Sequence, residues 1–453
     1  MTHAGEHHGS GAATRPGLTD AQLERLQQQS FSYFLHEANP VNGLVADRNA
    51  AGAPASIAAI GLALASYPVA VERGFMTRAA AVDRTLATLR FFWTSPQGPE
   101  PGATGHHGFY YHFLDMGTGR RAPASELSTI DSTFLLAGAL TAAMYFAAPR
   151  PDEEEIRTLA DALYRRADWQ WARNEGETVT HGWTPEAGFL PYQWEGYDEA
   201  LLLYVLALGS PTHPLPATAY AAWCATYRWV NAYGFDYLYA GPLFTHQLSH
   251  VWIDFRGIAD DYMRARGIDY FENSRRATHV QRAYAVHNPL GFAHYGEHCW
   301  GLTACEGPGP VTLEIAGVQR EFFDYVGRGV PYGPDDGTIA PWAVAASLPF
   351  APEIALAVLD YCVHDLKLAS AHDYGFKASF NPAFPDPAGG AHGWVSPWHY
   401  GLNEGPTVLM IENYRSGLPW QLMRRCPYIV AGLRRAGFAG SWLLSSADGA
   451  DTR

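Results

Sequence analysis

Two short acidic segments raise the question of acid–base chemistry. In "ARGIDYFENSRRATHVQRAYA" (265–285), Asp269 and Glu272 stand at Asp-x-x-Glu spacing, with Arg275 and Arg276 following. That spacing is a capping box, in which the Asp side chain accepts from the third helical amide and the Glu reaches back to the cap. Arginines at i+3 and i+4 pair with such a glutamate and hold it ionised, which disfavours proton donation. The local pattern therefore accounts for Glu272 without chemistry. In "LPYQWEGYDEALLLYVLALGSPTHP" (190–214), a helical wheel puts Glu195, Asp198 and Glu199 on one face with Leu202 and Leu206. Tyr197, Leu201, Tyr204, Val205 and Leu208 share the opposite face. A helix apolar on both sides is buried on both, so its acidic first turn faces an enclosed space where carboxylates raise one another's pKa. Acids also favour any helix N-terminus, and spacing alone does not separate the two readings.

A third cluster, "SHVWIDFRGIADDYMRARGIDYFENSRRA" (249–277), offers His250, Trp252, Asp254 and Asp261, with Arg256 and Asp260 at pairing distance along a helix. Gly257 inside this predicted helix marks a close approach of backbone or ligand. The long Gly- and Pro-rich segments add Glu297, Trp300 and Glu306, then Asp335 and Asp336, then Trp394, Trp398, Tyr400, Glu404 and Glu412; Trp183 and Trp194 stand earlier. Singly, each is an ordinary turn or cap residue. Together, acids and planar rings in loops suit a saccharide cleft, because aromatic faces pack on sugar rings and paired carboxylates cleave glycosidic bonds. His246 and His250 have helical metal-ligand spacing, but the H-E-x-x-H glutamate is absent and no third ligand follows, so neither metal nor cofactor is expected. Phosphate-binding, dinucleotide-binding and nucleophile-elbow motifs are also absent.

The elements that must carry these groups are helical. Periodicity predicts helices near 20–37, 56–70, 77–94, 128–147, 152–173, 195–209, 216–231, 249–265, 269–287, 338–348, 351–367, 405–416 and 420–435, with little strand alternation. Thr19 with Gln22 and Ser128 with Asp131 read as helix starts, and Pro151 precedes a run of four acids. With no charged linker or composition break, this predicts an all-α chain: one (α/α)6 barrel over 18–438, between tails 1–17 and 439–453. The long loops 95–127, 174–194, 232–248, 288–337 and 368–404 would crowd one rim and form a cleft.

With 31 Lys and Arg against 45 Asp and Glu, the net charge is −14, which excludes nucleic acid and anionic membranes as partners and favours a neutral ligand. Five scattered cysteines make a disulfide framework unexpected. Residues 1–17 show no apolar signal core, which reads as a cytoplasmic chain, and His3, His7 and His8 there read as tail residues rather than ligands. A monomer or weak homo-oligomer is expected.

Five blocks then carry a resemblance: "GYDEALLLYVLALGSPTHP", "GPLFTHQLSHVWIDFRGIADDYMRARGIDYFENSRRAT", "GLTACEGPGP", "DDGTIAPWAVAASLPFAPE" and "GLNEGPTVLMIENYRSGLPWQLMRRCPYIVAGLRRAGF". Together they resemble the bacterial glycoamylase-like family, which includes β-1,2-glucanases and domains of cyclic glucan synthases. The resemblance spans about 20–438 and implies an (α/α)6 barrel acting on β-1,2-linked glucose. It implies Glu272 as general acid, with Asp198 and Glu199 lining the scissile subsite. On that footing Glu199 or a nearby acid activates water, and Trp183, Trp194, Trp252, Trp300 and Trp398 are stacking platforms. His250, Asp254, Arg256, Glu195, Glu297, Asp336 and Glu404 complete the expected substrate contacts. The last block departs from the family pattern, with Asn403-Glu404 where an Asp-Gln pair is expected. The rival expectations are a β-1,2-glucan transglycosylase and a silent glucan-binding protein.

Overall fold

Ile57–Glu72 is apolar all round and buried from Ile57 to Ala70, so it runs through the centre of the molecule rather than along its surface. The computed structural model describes residues 17–369, 374–385 and 392–443. The predicted tail histidines His3, His7 and His8 lie outside them. The central helix packs against Thr129–Tyr145 and Gly401–Arg415, and Gly401–Arg415 packs in turn on Asp20–His36. Arg78–Thr94 and Thr129–Tyr145 both pack on Pro151–Arg166, while Leu201–Gly209 packs on Pro427–Arg435. The architecture is helix-rich, and no helix among the described residues is long and apolar enough to cross a membrane.

Glycine permits the tightest of these crossings. A Cβ at Gly138 would lie 2.0 Å from the Gly61 carbonyl oxygen, and one at Gly61 would lie 2.2 Å from that of Phe134. Neither atom can move without shifting a helix. Gly138→Val is therefore expected to cost about 1–3 kcal/mol or more through overpacking. A urea-denaturation midpoint equal to wild type would contradict the backbone-to-backbone crossing.

Several predicted helices are shorter than expected, each for a local reason. The 195–209 helix begins at Leu201, because Gly196 adopts φ +80° and the Asp198 carboxylate accepts from the Ala200 amide at 2.9 Å. The acidic residues therefore sit in a turn before the helix. The 249–265 helix is two pieces, Leu248–Trp252 and Asp261–Arg266, separated by Gly257 at φ +72° and restarted by the Asp260 cap. The 216–231 helix stops at Ala225, and Trp229–Ala232 instead pairs with Phe235–Leu238 across Tyr233-Gly234, both at positive φ. Pro427 splits the 420–435 helix into Leu418–Met423 and Pro427–Arg435. The C-terminal boundary also moves: Ala439 bridges to Ala259 and the Trp442 indole donates to the Asp254 carbonyl at 2.8 Å, so 439–443 belongs to the folded body.

Short strands brace the loops. One five-stranded sheet joins Gly105–His106, Phe109–Tyr111, Leu127–Ser128, Gly182–Thr184 and Gly188–Phe189 in that order. His112 follows the Phe109–Tyr111 strand and the Thr129–Tyr145 helix follows Leu127–Ser128, which sets His112 beside Asp131.

Candidate active site

A cavity of about 710 Å³ gathers Asp47, Arg48, His112, Asp131, Glu199, Glu306 and Asp324 with Phe113, Phe134, Phe244, Tyr325, Trp342, Tyr400 and Asn403. Acids, one histidine and aromatic walls in a space of this size match the general form of a small-ligand site. A separate groove of about 630 Å³ contains Asp260, but its carboxylate is committed to the Tyr220 and Tyr270 hydroxyls (2.6 and 2.8 Å) and the Met263 amide.

Each cavity acid is held by its own segment. Glu199 ends the turn before Leu201–Gly209; its carbonyl accepts from the Ser249 hydroxyl at 3.0 Å, and that hydroxyl accepts from the Leu202 amide. Burial pushes the Glu199 carboxyl up to about 7, and the Asp131 carboxylate adds to the rise. Burial, then the Glu199 charge, also raises the neighbouring Asp198. Asp131 sits in the first turn of its helix, where its amide donates to Ser128 Oγ and its Oδ2 receives the Ser128 hydroxyl at 2.5 Å. The His112 ring places Nδ1 2.8 Å from Glu126 and Nε2 3.7 Å from Asp131. Burial opposes the imidazolium, but Asp131, Glu126 and Asp47 outweigh it and raise His112 to about 9. Burial raises Asp47 to about 6 against the pull of His112 and Arg48. Arg48 donates to the Tyr400 hydroxyl at 3.1 Å and lies 5.7 Å from the Trp398 ring centre. On the remaining side, Glu306 receives the Ser396 hydroxyl at 2.5 Å, and Asp324 and Tyr325 are exposed. No group of acids, histidines and cysteines among the described residues is arranged to hold a metal ion.

The Glycoamylase family model matches residues 191–427, more than half of the 453. The chain belongs to the Glycoamylase family. It is 28% identical to an exo β-1,2-glucooligosaccharide sophorohydrolase (non-reducing end) from Parabacteroides distasonis, over 94% of this chain and 59% of that protein. The chain thus spans well under two thirds of that relative's length. An endo-β-1,2-glucanase from Chitinophaga pinensis, solved with sophorotriose and glucose, superposes with TM-score 0.81 at 26% identity, covering 94% of this chain and 100% of that one. A β-1,2-glucanase structure from Parabacteroides distasonis gives 0.80 at 26% identity, covering 94% of this chain and 61% of that one.

Within this Glycoamylase chain, the structure brings only part of the predicted site together. Glu199 lines the cavity; Asp198 is not among the lining residues and accepts the Ala200 amide in the turn before the helix, and Glu195 is exposed in the preceding loop. Glu272 is not among the lining residues: its amide takes the Asp269 cap at 2.7 Å and its carboxylate pairs with Arg276 at 2.9 Å and Arg275 at 3.8 Å. Only the Asp269 half of the expected capping box forms, since the Glu272 carboxylate goes to the arginines rather than back to the cap. Glu272→Gln should leave turnover within about threefold of wild type and cost under ~1 kcal/mol, the range of an exposed helix pair. A hundredfold loss of rate in a stably folded variant would instead make Glu272 catalytic.

The other predicted contacts are largely structural. His250 is buried against Phe255 and Phe350 with Nε2 3.0 Å from the Ser274 hydroxyl, and burial pushes it down to about 3. Asp254 is enclosed by Arg256 at 2.7 Å and by Arg424, and Arg256 stacks over Trp420 at 4.4 Å. Trp300 is core, and Trp194 is buried with its indole donating to Thr129 Oγ1 at 3.0 Å. Trp252 is also core, but it stacks at 5.4 Å on Phe134, a cavity wall. Trp183 packs on His106 and Trp171 along the five-stranded sheet, and Glu297 pairs with Arg282 near the surface. Asp336 forms a buried ion pair with Arg328 at 2.7 Å, and Glu404 is buried 3.1 Å from His399 Nδ1 while Asn403 beside it reaches the cavity.

Asp47, Arg48, His112, Asp324, Tyr325 and Trp342 were missed. One signal was present: Asp131 was read only as a cap, although its helix is apolar on every side. An acid on a helix with no solvent face has to look into a cavity or meet a buried partner.

Proposed function

We propose that this chain is a glycoside hydrolase that cuts β-1,2-linked glucose chains, with Glu199 as the proton donor. The observation that carries the assignment is Glu199's carboxyl, raised to about 7 within a cavity that holds four other acids. A donor must be protonated at working pH and its partner ionised, and environments that push two carboxyls apart supply both roles. Glu306 or Asp324, both of which line the same cavity, activates the water. Phe113, Phe134, Tyr325, Trp342 and Tyr400 offer faces and hydroxyls to sugar rings. The substrate class rests on the sophorohydrolase and glucanases to which the chain is similar. The helical pairs described above support closure into an (α/α)6 barrel, with the strand-braced loops as its open rim. A cavity of about 710 Å³ has room for a water beside the bound sugars, which favours inversion.

Chromatography of products from linear β-1,2-glucan and sophoro-oligosaccharides tests the substrate, and NMR during the first turnovers tests the stereochemistry. Shorter oligosaccharides released first as the α-anomer are expected. Products longer than the starting chain would establish transglycosylation instead, a β-anomer would establish retention, and binding without turnover would make the chain a glucan-binding protein.

A further inference from the structure

We infer that Arg328 is a positioning residue, whose buried guanidinium sets where Glu306 and Asp324 stand relative to each other. Arg328 and Asp336 are both fully buried and joined by two bonds, Nε to Oδ1 at 2.7 Å and Nη2 to Oδ2 at 2.8 Å. The same guanidinium donates to the Cys305 carbonyl at 2.6 Å and to the Phe323 and Asp324 carbonyls at 3.2 and 3.1 Å. Asp336 Oδ2 takes the Phe323 amide at 2.9 Å. One ion pair therefore grips the peptide groups on which both cavity carboxylates are mounted.

Ser379 donates to the Glu306 carbonyl at 2.6 Å, Ser396 to its carboxylate, and the Gly309 amide to the Phe323 carbonyl at 3.0 Å, and the guanidinium joins the same two segments at their peptide groups. The strands behind the two acids, Ala304–Cys305 and Val326–Gly327, are two residues each, far shorter than strands that hold a register unaided. Gly307 leaves the space the fork occupies: a Cβ there would lie 2.1 Å from Arg328 Nη2. A buried ion pair is a poor device for stability, since an apolar pair of similar volume is often as good or better. An apolar pair, however, cannot donate to three carbonyls from one rigid plane. Placement is what this pair supplies, and a misplacement of ~1 Å at reacting groups can cost about a hundredfold in rate.

The activity arm of the test rests on the function proposed above; a crystallographic arm does not. Arg328→Lys keeps the charge and loses the fork, while Arg328→Met with Asp336→Leu leaves no buried charge unpaired. With cooperative melting retained, kcat on sophoro-oligosaccharides should fall about 10- to 100-fold with KM moved less than about threefold. Crystal structures of the variants should show the Glu306 and Asp324 carboxylates displaced by ~1 Å. A folded variant with wild-type kcat and unmoved carboxylates overturns the inference, as does failure of both variants to fold, which would make the pair a stability element. If wild type itself turns over no β-1,2-glucan, the proposed function fails and the crystallographic displacement alone decides the positioning role.

Discussion

Glu199→Gln should reduce kcat about 10²–10⁴-fold, the range expected for a lost general acid, while leaving KM within a fewfold. The amide fills the same space and can still donate a hydrogen bond, but it cannot transfer a proton to the departing sugar oxygen. In wild type, burial and the Asp131 charge raise the carboxyl from 4.5 to about 7, so the donor form persists through neutral pH and is lost as pH climbs past that value. kcat/KM should accordingly fall on a basic limb centred near 7, and the residual rate of Glu199→Gln should lack that limb. Asp131→Asn removes a neighbouring negative charge, which lowers the Glu199 pKa and moves the limb toward acid. A substrate with an aryl leaving group needs less protonation and should recover part of the lost rate in Glu199→Gln. The measurement is initial rates by product chromatography from pH 5 to 9; a variant retaining a tenth of wild-type turnover removes Glu199 from the role.

Helical content and the acidic turn at Glu199 were legible because they depend on local pattern. Apolar periodicity marks a helix wherever it folds, and Ser56, Thr77 and Ser128 cap the helices that follow them. What could not be read was which acids share a space. Glu199 meets Asp131 and His112 only because a helix starting at Leu201, a helix capped by Ser128 and a sheet strand ending at Tyr111 converge, and no spacing in the chain encodes that convergence. The predicted aromatic platforms failed for a related reason. Trp252 and Trp300 lie in segments rich in polar and turn residues, yet each is fully buried, and Asp254 and Asp336 are taken by arginines. Type and context in the sequence marked them as site residues; tertiary packing spent them on the frame that holds the site. At Glu272 the Asp269 bond and the arginine pairs legible in the chain are formed, and the Glu272→Gln rates decide the general-acid role that the resemblance implies.

The folded chain should be more stable at pH 6.5 than at pH 9, by on the order of 1–3 kcal/mol, because the site binds protons more tightly than the unfolded chain does. Three cavity groups act in the same direction. His112 is raised from 6.5 to about 9, so its contribution is fully present below 6.5 and is lost as pH rises through about 9. Glu199 and Asp47 are raised from 4.5 and 3.8 to about 7 and about 6, so between roughly pH 4 and 7 the unfolded chain sheds protons that the fold retains, and stability declines there too. Groups held low work the other way below pH 6.5: the buried His246 and His250, pushed down to about 4 and about 3, favour the fold as pH rises toward 6.5, and the arginine-paired Asp254, Asp336 and Glu412 do so through the ordinary carboxylate range. Urea midpoints from pH 6.5 to 9 check this, and midpoints that stay level or rise there would contradict the proton uptake. His112→Gln should flatten the profile between 6.5 and 9, and Glu199→Gln should flatten it between 4.5 and 7. The proton whose loss from Glu199 ends acid catalysis above pH 7 is thus one the fold itself retains, and the burial that keeps the donor competent leaves its ionised form as a cost to the structure.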